Sequence, residues 1–583
     1  MKNRHTFALP LTLLVFFLAG CQNSAQPNPG QTTPAQPAAS TWQHGAMATA
    51  ANPYAVQAAM AMLEQGGHAV DAVIAAHAVL GLVEPQSSGL GGGAFMLVSE
   101  PGQGLTFLDG REMAPAGATV DMFMQDGKVM SFFESWQSGK AVGVPGAIAL
   151  YKYAHDAHGS LPWTTLFAPA IKLASEGFIV SPRLAEFLPR MAEISQLATN
   201  PASAAYFYPN GKALQAGDLL VNKAYAETLR RVASEGPKAF YTGEIAAAIS
   251  TAAQAGPNGG TLTVADMAAY QVLERPVICG DFRAMDICTA SPPSSGAMQI
   301  MIAAMYADMV QPASSQADKL AAFVDAQRLA YADRDHYIGD PDAVAVPLDD
   351  LLNPIYLKQR ATERFAPDAT PTPGDPTKVL GGKPLAGVWA RDTTTEIAGT
   401  THLSIIDGMG NAVSMTATVE APFGSARLVH GFLLNNEMTD FAREVAADGK
   451  PQANAIAPGR RPRSSMSPTM VFDANGDLLM VTGSPGGNSI PAYVAKSILG
   501  VLDWGLDAQG AADFPNIIAR GQKVRVEIAE PEGKVIADDL AARGYVVQER
   551  EGENSGLHLI VVNPEGLDGA ADKRREGIVL RLK

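Results

Sequence analysis

Two threonines give this chain its most suggestive chemistry. Gly399-Thr400-Thr401-His402-Leu403-Ser404-Ile405-Ile406 has the character of a strand, Asp407-Gly408-Met409-Gly410-Asn411 of a turn, and Ala412 to Thr418 of a returning strand. If Ile406 pairs with Ala412, counting outward sets Thr400 directly across from Thr418. Two threonine hydroxyls within hydrogen-bond reach of each other are candidates for nucleophilic catalysis. Inside a chain such a hydroxyl is a weak nucleophile that needs a base, and facing threonines also occur as plain β-structure. Other strings carry less. Gly483-Ser484-Pro485-Gly486-Gly487 is by itself a tight turn. Gly89-Leu90-Gly91-Gly92-Gly93 lacks nucleotide-loop spacing and suits close backbone packing near a pocket. His155-Asp156-Ala157-His158 could seed a metal pair but lacks further ligands, so a solvated helix end is expected there.

The elements that must hold such a hairpin can be read around it. Asn52-Pro53 supplies an N-cap and first turn for a helix expected to stop at Gly66-Gly67. Ala69 to Val83 is apolar on nearly every face and predicts a buried helix. Helical patterns continue over residues 145–154, 168–176 and 317–333, whereas residues 400–419 and 466–481 hold short strand-like runs. The chain is thus helix-rich first and strand-rich in its last third. In Val277 to Cys288, a two-residue turn at Arg283-Ala284 would set Cys279 opposite Cys288. A cross-strand disulfide and two buried free thiols are both compatible with that placement.

Composition narrows the class. The 583 residues carry a formal net charge of −15, which disfavours nucleic acid as a partner. Three cysteines exclude a disulfide scaffold and a thiolate metal cluster. At the start, Lys2, Arg4 and His5 precede an apolar stretch from Phe7 to Leu18, the pattern of an export signal over residues 1–21. Leu18-Ala19-Gly20-Cys21 resembles a bacterial lipobox, which implies a lipid anchor on Cys21, and Gln22 after it points to the outer membrane. A plain cleaved signal is the alternative. Residues 22–41, rich in Pro, Ala, Gln and Ser, are expected to form a flexible linker.

A wider set of strings changes the weight of the threonine pair. These include Gln65-Gly66-Gly67-His68-Ala69-Val70-Asp71-Ala72, Glu84-Pro85-Gln86-Ser87-Ser88-Gly89, Arg111-Glu112-Met113-Ala114-Pro115, Pro293-Ser294-Ser295-Gly296 and Tyr331-Ala332-Asp333-Arg334. Leu434-Asn435-Asn436-Glu437-Met438-Thr439-Asp440-Phe441, Ser464-Ser465-Met466-Ser467-Pro468 and the 483–487 turn follow in order. From about Gly45 to Gly577 the chain resembles the gamma-glutamyltranspeptidases, N-terminal-nucleophile hydrolases that cut their own precursor. The resemblance implies an α+β fold, the four-layer αββα sandwich, built from a large subunit (42–399) and a small catalytic subunit (400–583). It implies cleavage between Gly399 and Thr400. That cut would give Thr400 a free α-amine, of pKa roughly 7.7–8.0, as its own base.

By the same resemblance Thr400 is the nucleophile and Thr418 orients it. Gly486 and Gly487 hold the oxyanion through their N–H groups. Arg111 grips the substrate α-carboxylate with Ser464 and Ser465, and Asp440, Glu437 and Glu420 bind its α-ammonium. The implied donor is glutathione or another γ-glutamyl compound, with water, an amino acid or a peptide as acceptor. No metal or organic cofactor is implied. The sequence departs from many members by having Glu420 where they have Asn. It also has a short 441–463 segment without the aromatic character of an active-site lid, so an open acceptor side, tolerant of donors such as poly-γ-glutamate, is expected. Two rival readings are a cephalosporin (glutaryl) acylase of the same fold and an uncleaved, non-catalytic lipoprotein that only binds.

Overall fold

Thr400, His402 and Ser404 put polar groups on one face of their strand, and both its faces are buried, so it must lie between two layers. The structure, a computed structural model, describes residues 42–583 apart from 257, 364, 386, 393, 395, 398 and 445–448. The expected signal with Cys21 and the linker to residue 41 lie outside the described residues. Thirteen strands build the two central layers. In the first part of the chain these are β1 (Ala46–Ala50), β2 (Gly93–Glu100), β3 (Gly104–Gly110), β4 (Leu273–Arg275), β5 (Val277–Phe282) and β6 (Met285–Ala290). The remainder are β7 (Gly399–Ile406), β8 (Ala412–Glu420), β9 (Thr469–Phe472), β10 (Leu478–Thr482), β11 (His558–Asn563), β12 (Gly566–Ala571) and β13 (Ile578–Leu582).

One sheet has seven strands in the order β13-β1-β7-β8-β2-β3-β4, the other six in the order β12-β11-β10-β9-β6-β5. Alternation sorts the side chains. Leu403, Ile405, Val413 and Met415 turn outward to a core shared with helices α1 (Pro53–Leu63) and α2 (Ala69–Val83). Phe95, Leu97 and Met47 turn inward to a second core with Val471 and Val481. Helices α3 (Ala297–Met309), α4 (Gln316–Tyr337) and α5 (Ile490–Leu502) belong to that second core and cover the six-stranded sheet. The result is the αββα sandwich that the resemblance implied. Among the described residues, no helix is long and apolar enough to cross a membrane.

Local chemistry explains the elements nearest the site. Asn52 Oδ1 accepts from Tyr54 N–H at 3.0 Å and starts α1, with Pro53 in the first turn. All of α2 is buried. Its first turn is tied to the site hairpin, because Asp407 Oδ2 accepts from Ala69 N–H at 3.0 Å, a carboxylate at a helix N-terminus. Asp407 Oδ1 also accepts from the N–H groups of Met409 and Asn411, so one side chain holds the β7–β8 turn closed.

Two details differ from the sequence reading. The helix expected over 317–333 runs from Gln316 to Tyr337, since Ser315 caps it by accepting from Asp318 N–H. The His155–His158 string ends a helix with Asp156 and Ala157 exposed, as expected, but its histidines turn inward. His158 folds inward with His68 onto Glu100, both at 3.2 Å, and His155 Nε2 bonds Leu161 O at 2.8 Å. The β5–β6 hairpin turns at Arg283-Ala284, both in the left-handed region, with Cys279 opposite Cys288 and the sulfurs bonded at 2.06 Å.

Candidate active site

The site is the end of a polar ladder between the two sheets. Thr400 faces Thr418, His402 faces Thr416 and Ser404 faces Ser414 across β7 and β8, the register counted from the turn. His402 bonds Thr416 Oγ1 at 2.9 Å and Ser404 Oγ at 3.0 Å. Ser404 and Ser414 donate to His558 O and Thr482 O of the facing sheet. Burial, with His558 nearby, pushes the His402 ring well below its ordinary pKa, so it sits neutral and is structural.

At the top of the ladder the strands slip. Gly399 pairs with Glu420 although Thr400 pairs with Thr418, so Val419 is the extra residue of a bulge. Glu420 takes a positive φ of 75° there, unusual for a buried non-glycine residue. The bulge aims three groups at one another. Thr418 Oγ1 donates to Gly399 O at 2.9 Å, accepts from Glu420 N–H at 2.8 Å, and lies 3.2 Å from Thr400 Oγ1. Because the Thr418 hydrogen is committed to the Gly399 carbonyl, the Thr400 hydroxyl is the donor of the remaining bond. One hydroxyl thus polarises the carbonyl before Thr400 and accepts from the oxygen that would attack it. Position 399 also requires glycine, since a Cβ there would fall 2.3 Å from Glu420 O.

Behind the threonines lies a dense charge cluster. Arg111 is anchored by donating from Nε to Pro462 O at 3.3 Å and from Nη2 to Arg463 O at 3.0 Å. Its Nη2 also meets Asp440 at 2.6 Å, and its Nη1 pairs with Glu437. Glu112 stands 4.0 Å from the same guanidinium. Burial raises the carboxyls of Glu437, Asp440 and Glu420 well above their ordinary values, and raises Glu112 to about 7. One guanidinium faces four buried acids, so burial favours their neutral forms. Asn436 Nδ2 donates to Glu420, fixing that side chain.

Ser464 Oγ accepts from Met466 N–H at 3.1 Å, and Ser465 Oγ accepts from Arg334 Nη2 at 2.7 Å. Ser465 N–H donates to Glu396 at 3.0 Å. Glu396 is also paired with Arg334; burial opposes its ionisation, but Arg334 and Arg463 outweigh that and hold its carboxyl below the usual range. Gly486 and Gly487, with φ of 140° and 55°, form the turn into α5, and among the described residues neither N–H has a hydrogen-bond partner.

Thr400, Thr418, Arg111, Glu420, Glu437, Asp440, Ser464, Ser465 and Gly487 all line one inner pocket; Gly486 lies on the adjoining outer cleft. The inner pocket has only about 10 Å³ free, the floor of what one water needs, whereas the cleft holds about 800 Å³. Glu396 and Ile397, just upstream of Gly399, form the wall between them. Glu396, Arg334 and Glu112 are site residues that the sequence reading did not single out. Glu112 adjoins Arg111 in sequence, which was the available signal, whereas Arg334 sits in Tyr331-Ala332-Asp333-Arg334 with no named site residue beside it.

The gamma-glutamyltranspeptidase family profile matches residues 55–582. The glutathione hydrolase proenzyme of Escherichia coli K12 is 37% identical over 534 residues, 89% of each chain. That of Bacillus subtilis 168 is 34% identical over 548 residues, covering 92% of this chain and 91% of the relative. Among solved structures, a cephalosporin acylase from Bacillus halodurans superimposes with a TM-score of 0.80 at 26% identity, covering 95% of this chain and 99% of its own. With its profile match spanning nearly the whole described chain, this protein belongs to the gamma-glutamyltranspeptidase family.

Proposed function

We propose that the protein is a gamma-glutamyltransferase and glutathione hydrolase made as a precursor that cuts itself between Gly399 and Thr400, separating the large subunit, whose folded part spans 42–399, from the small subunit 400–583. The observation that carries this is the Thr418 hydroxyl, bonded at once to the Gly399 carbonyl and the Thr400 oxygen. In the first step Thr400 Oγ1 attacks the Gly399 carbonyl carbon, and Thr418 O–H stabilises the oxyanion. The Gly399–Thr400 C–N bond breaks, the hydroxyl proton ends on the released nitrogen, and water hydrolyses the ester. Thr400 then carries both nucleophile and base. In turnover its amine takes the Oγ1 proton as the oxygen attacks the γ-carbonyl. The N–H groups of Gly486 and Gly487 receive the oxyanion, and the leaving amine takes the proton. Water or an acceptor amine completes the transfer from the γ-glutamyl ester.

The charge cluster suits a zwitterion. An incoming α-carboxylate exchanges with an acid on Arg111, and the α-ammonium takes the freed acid, so buried charges stay paired throughout. Four acids around the pocket favour a donor with an ammonium over the glutaryl group, which has none. The fold likeness to a cephalosporin acylase keeps that reaction as the second reading. Comparing γ-glutamyl and glutaryl anilides separates the two. Export with a lipid anchor on Cys21 is proposed from the N-terminal sequence, and a Cys279–Cys288 bond fits an oxidising compartment. Denaturing electrophoresis with N-terminal sequencing tests the core of the reading. Two chains, one beginning at Thr400, are expected, and a single chain from Thr400→Ala; an uncut protein with full γ-glutamyl turnover would overturn it.

A further inference from the structure

The outer cleft is cationic in a strongly acidic protein. Arg183 and Arg190 reach it from helix Pro182–Ile194, Arg525 from strand Lys523–Glu527, and Arg550 from the end of strand Val546–Arg550. Its acids are mostly spent. Glu553 is held by Arg525 at 2.9 Å and Glu396 by Arg334, leaving Glu186. Arg183 donates to the neutral Asn554 Oδ1 at 3.0 Å. Arg190 and Arg550 are exposed and, among the described residues, have no ion-pair partner. Arg190 and Arg550, with Arg183 whose guanidinium also acts on buried Glu84, therefore outnumber Glu186 in a chain of net charge −15. Charges of one sign in a walled cleft concentrate ligands of the other sign.

The position of the cleft assigns its role. Gly486 lies on its wall, Gly487 lies in the inner pocket, and Glu396-Ile397 separates the two. With the γ-glutamyl group in the inner pocket, the remainder of the donor must extend into the cleft. By microscopic reversibility the acceptor amine enters along the path the leaving amine takes. We infer that Arg190 and Arg550, with Arg183, form a carboxylate-binding site for the leaving-group and acceptor side, so that peptides carrying carboxylates beyond the reacting amide are preferred over neutral ones. This rests on the acyl-transfer reading above. In the transfer step the acceptor nitrogen bonds to the γ-carbonyl carbon, the bond to Thr400 Oγ1 breaks, and the amine proton returns to that oxygen. The arginines bind and do not react.

Two measurements test this separately from the reaction. In uncut Thr400→Ala protein, where the cleft is already open, calorimetry is run with α-linked tri-glutamate and tri-glutamine. Tri-glutamate binding is expected to be stronger, to weaken about tenfold in R190Q/R550Q, and to weaken as ionic strength rises. In mature enzyme, the ratio of kcat/KM for γ-glutamyl-glutamate over γ-glutamyl-glutamine is expected to fall about tenfold in the same double variant. Equal binding of the two tripeptides, or a ratio unmoved by the substitutions, overturns the assignment. Failure of mature wild-type protein to turn over either donor overturns the acyl-transfer reading instead, and the calorimetry still decides the cleft.

Discussion

The inner pocket and the outer cleft use charge in opposite ways. In the pocket the ionic groups are buried, Arg111 is already paired with Glu437 and Asp440, and almost no space remains. In the cleft Arg190 and Arg550 are exposed and, among the described residues, lack ion-pair partners, and the space would hold a peptide. Buried charge must be compensated before the ligand arrives, so the pocket selects by exchanging partners. Exposed charge can wait in water, so the cleft selects by supplying partners that the ligand lacks.

The largest effect should come from removing the feature that joins the two regions in time. Thr400→Ala is expected to leave one chain on a denaturing gel and to reduce γ-glutamyl anilide turnover by at least about 10⁴-fold. Next is Arg111, the cation paired inside the pocket. Arg111→Ala leaves Glu437 and Asp440 buried without that countercharge, and a loss of about 3–5 kcal/mol, read as a fall in the urea midpoint, is expected. An equivalent substitution at Arg190 should leave the urea midpoint unchanged within error, and a fall there would erase the contrast.

Under the cleft wall, Glu84 is buried near Arg183 and Arg575, with neither oxygen hydrogen-bonded among the described residues. Burial lifts its carboxyl to about 6 from an ordinary 4.5. A raised carboxyl favours the folded state fully below the ordinary value and loses that contribution as pH rises through the folded one. Stability should therefore decline by about 2 kcal/mol between those values from this group, and Glu84→Gln should remove the slope in urea titrations. The smallest effect concerns the pocket's own protons. With Glu112 held at about 7, donor binding should tighten as pH rises through neutrality, because an ammonium needs the acids ionised. KM for a γ-glutamyl donor should fall by up to about tenfold per pH unit there, and Glu112→Gln should flatten the profile.

The legible part of the site was the part governed by local counting. A turn closed by Asp407 leaves one register for β7 and β8, so Thr400 opposite Thr418 followed from Ile406 against Ala412. The αββα layers were legible only through the family resemblance, because buried strands such as Gly93–Glu100 look alike in any sandwich. Glu396 and Arg334 escaped notice because they meet across 62 residues of chain, and an isolated charge in sequence looks like surface. The bulge at Val419 was hidden as well, since a positive φ at a glutamate leaves no mark in composition. His158 was misread for a related reason: its partner Glu100 comes from another element.

The strand order has one more implication. In the seven-stranded sheet β1, from before the proposed cut, is hydrogen-bonded on one side to β7 and on the other to β13, both from after it. The two chains that the proposed cleavage would yield are therefore interleaved like fingers of clasped hands. Dilution should not part them without unfolding, and fragments produced separately would have to fold around each other to recover the same weave.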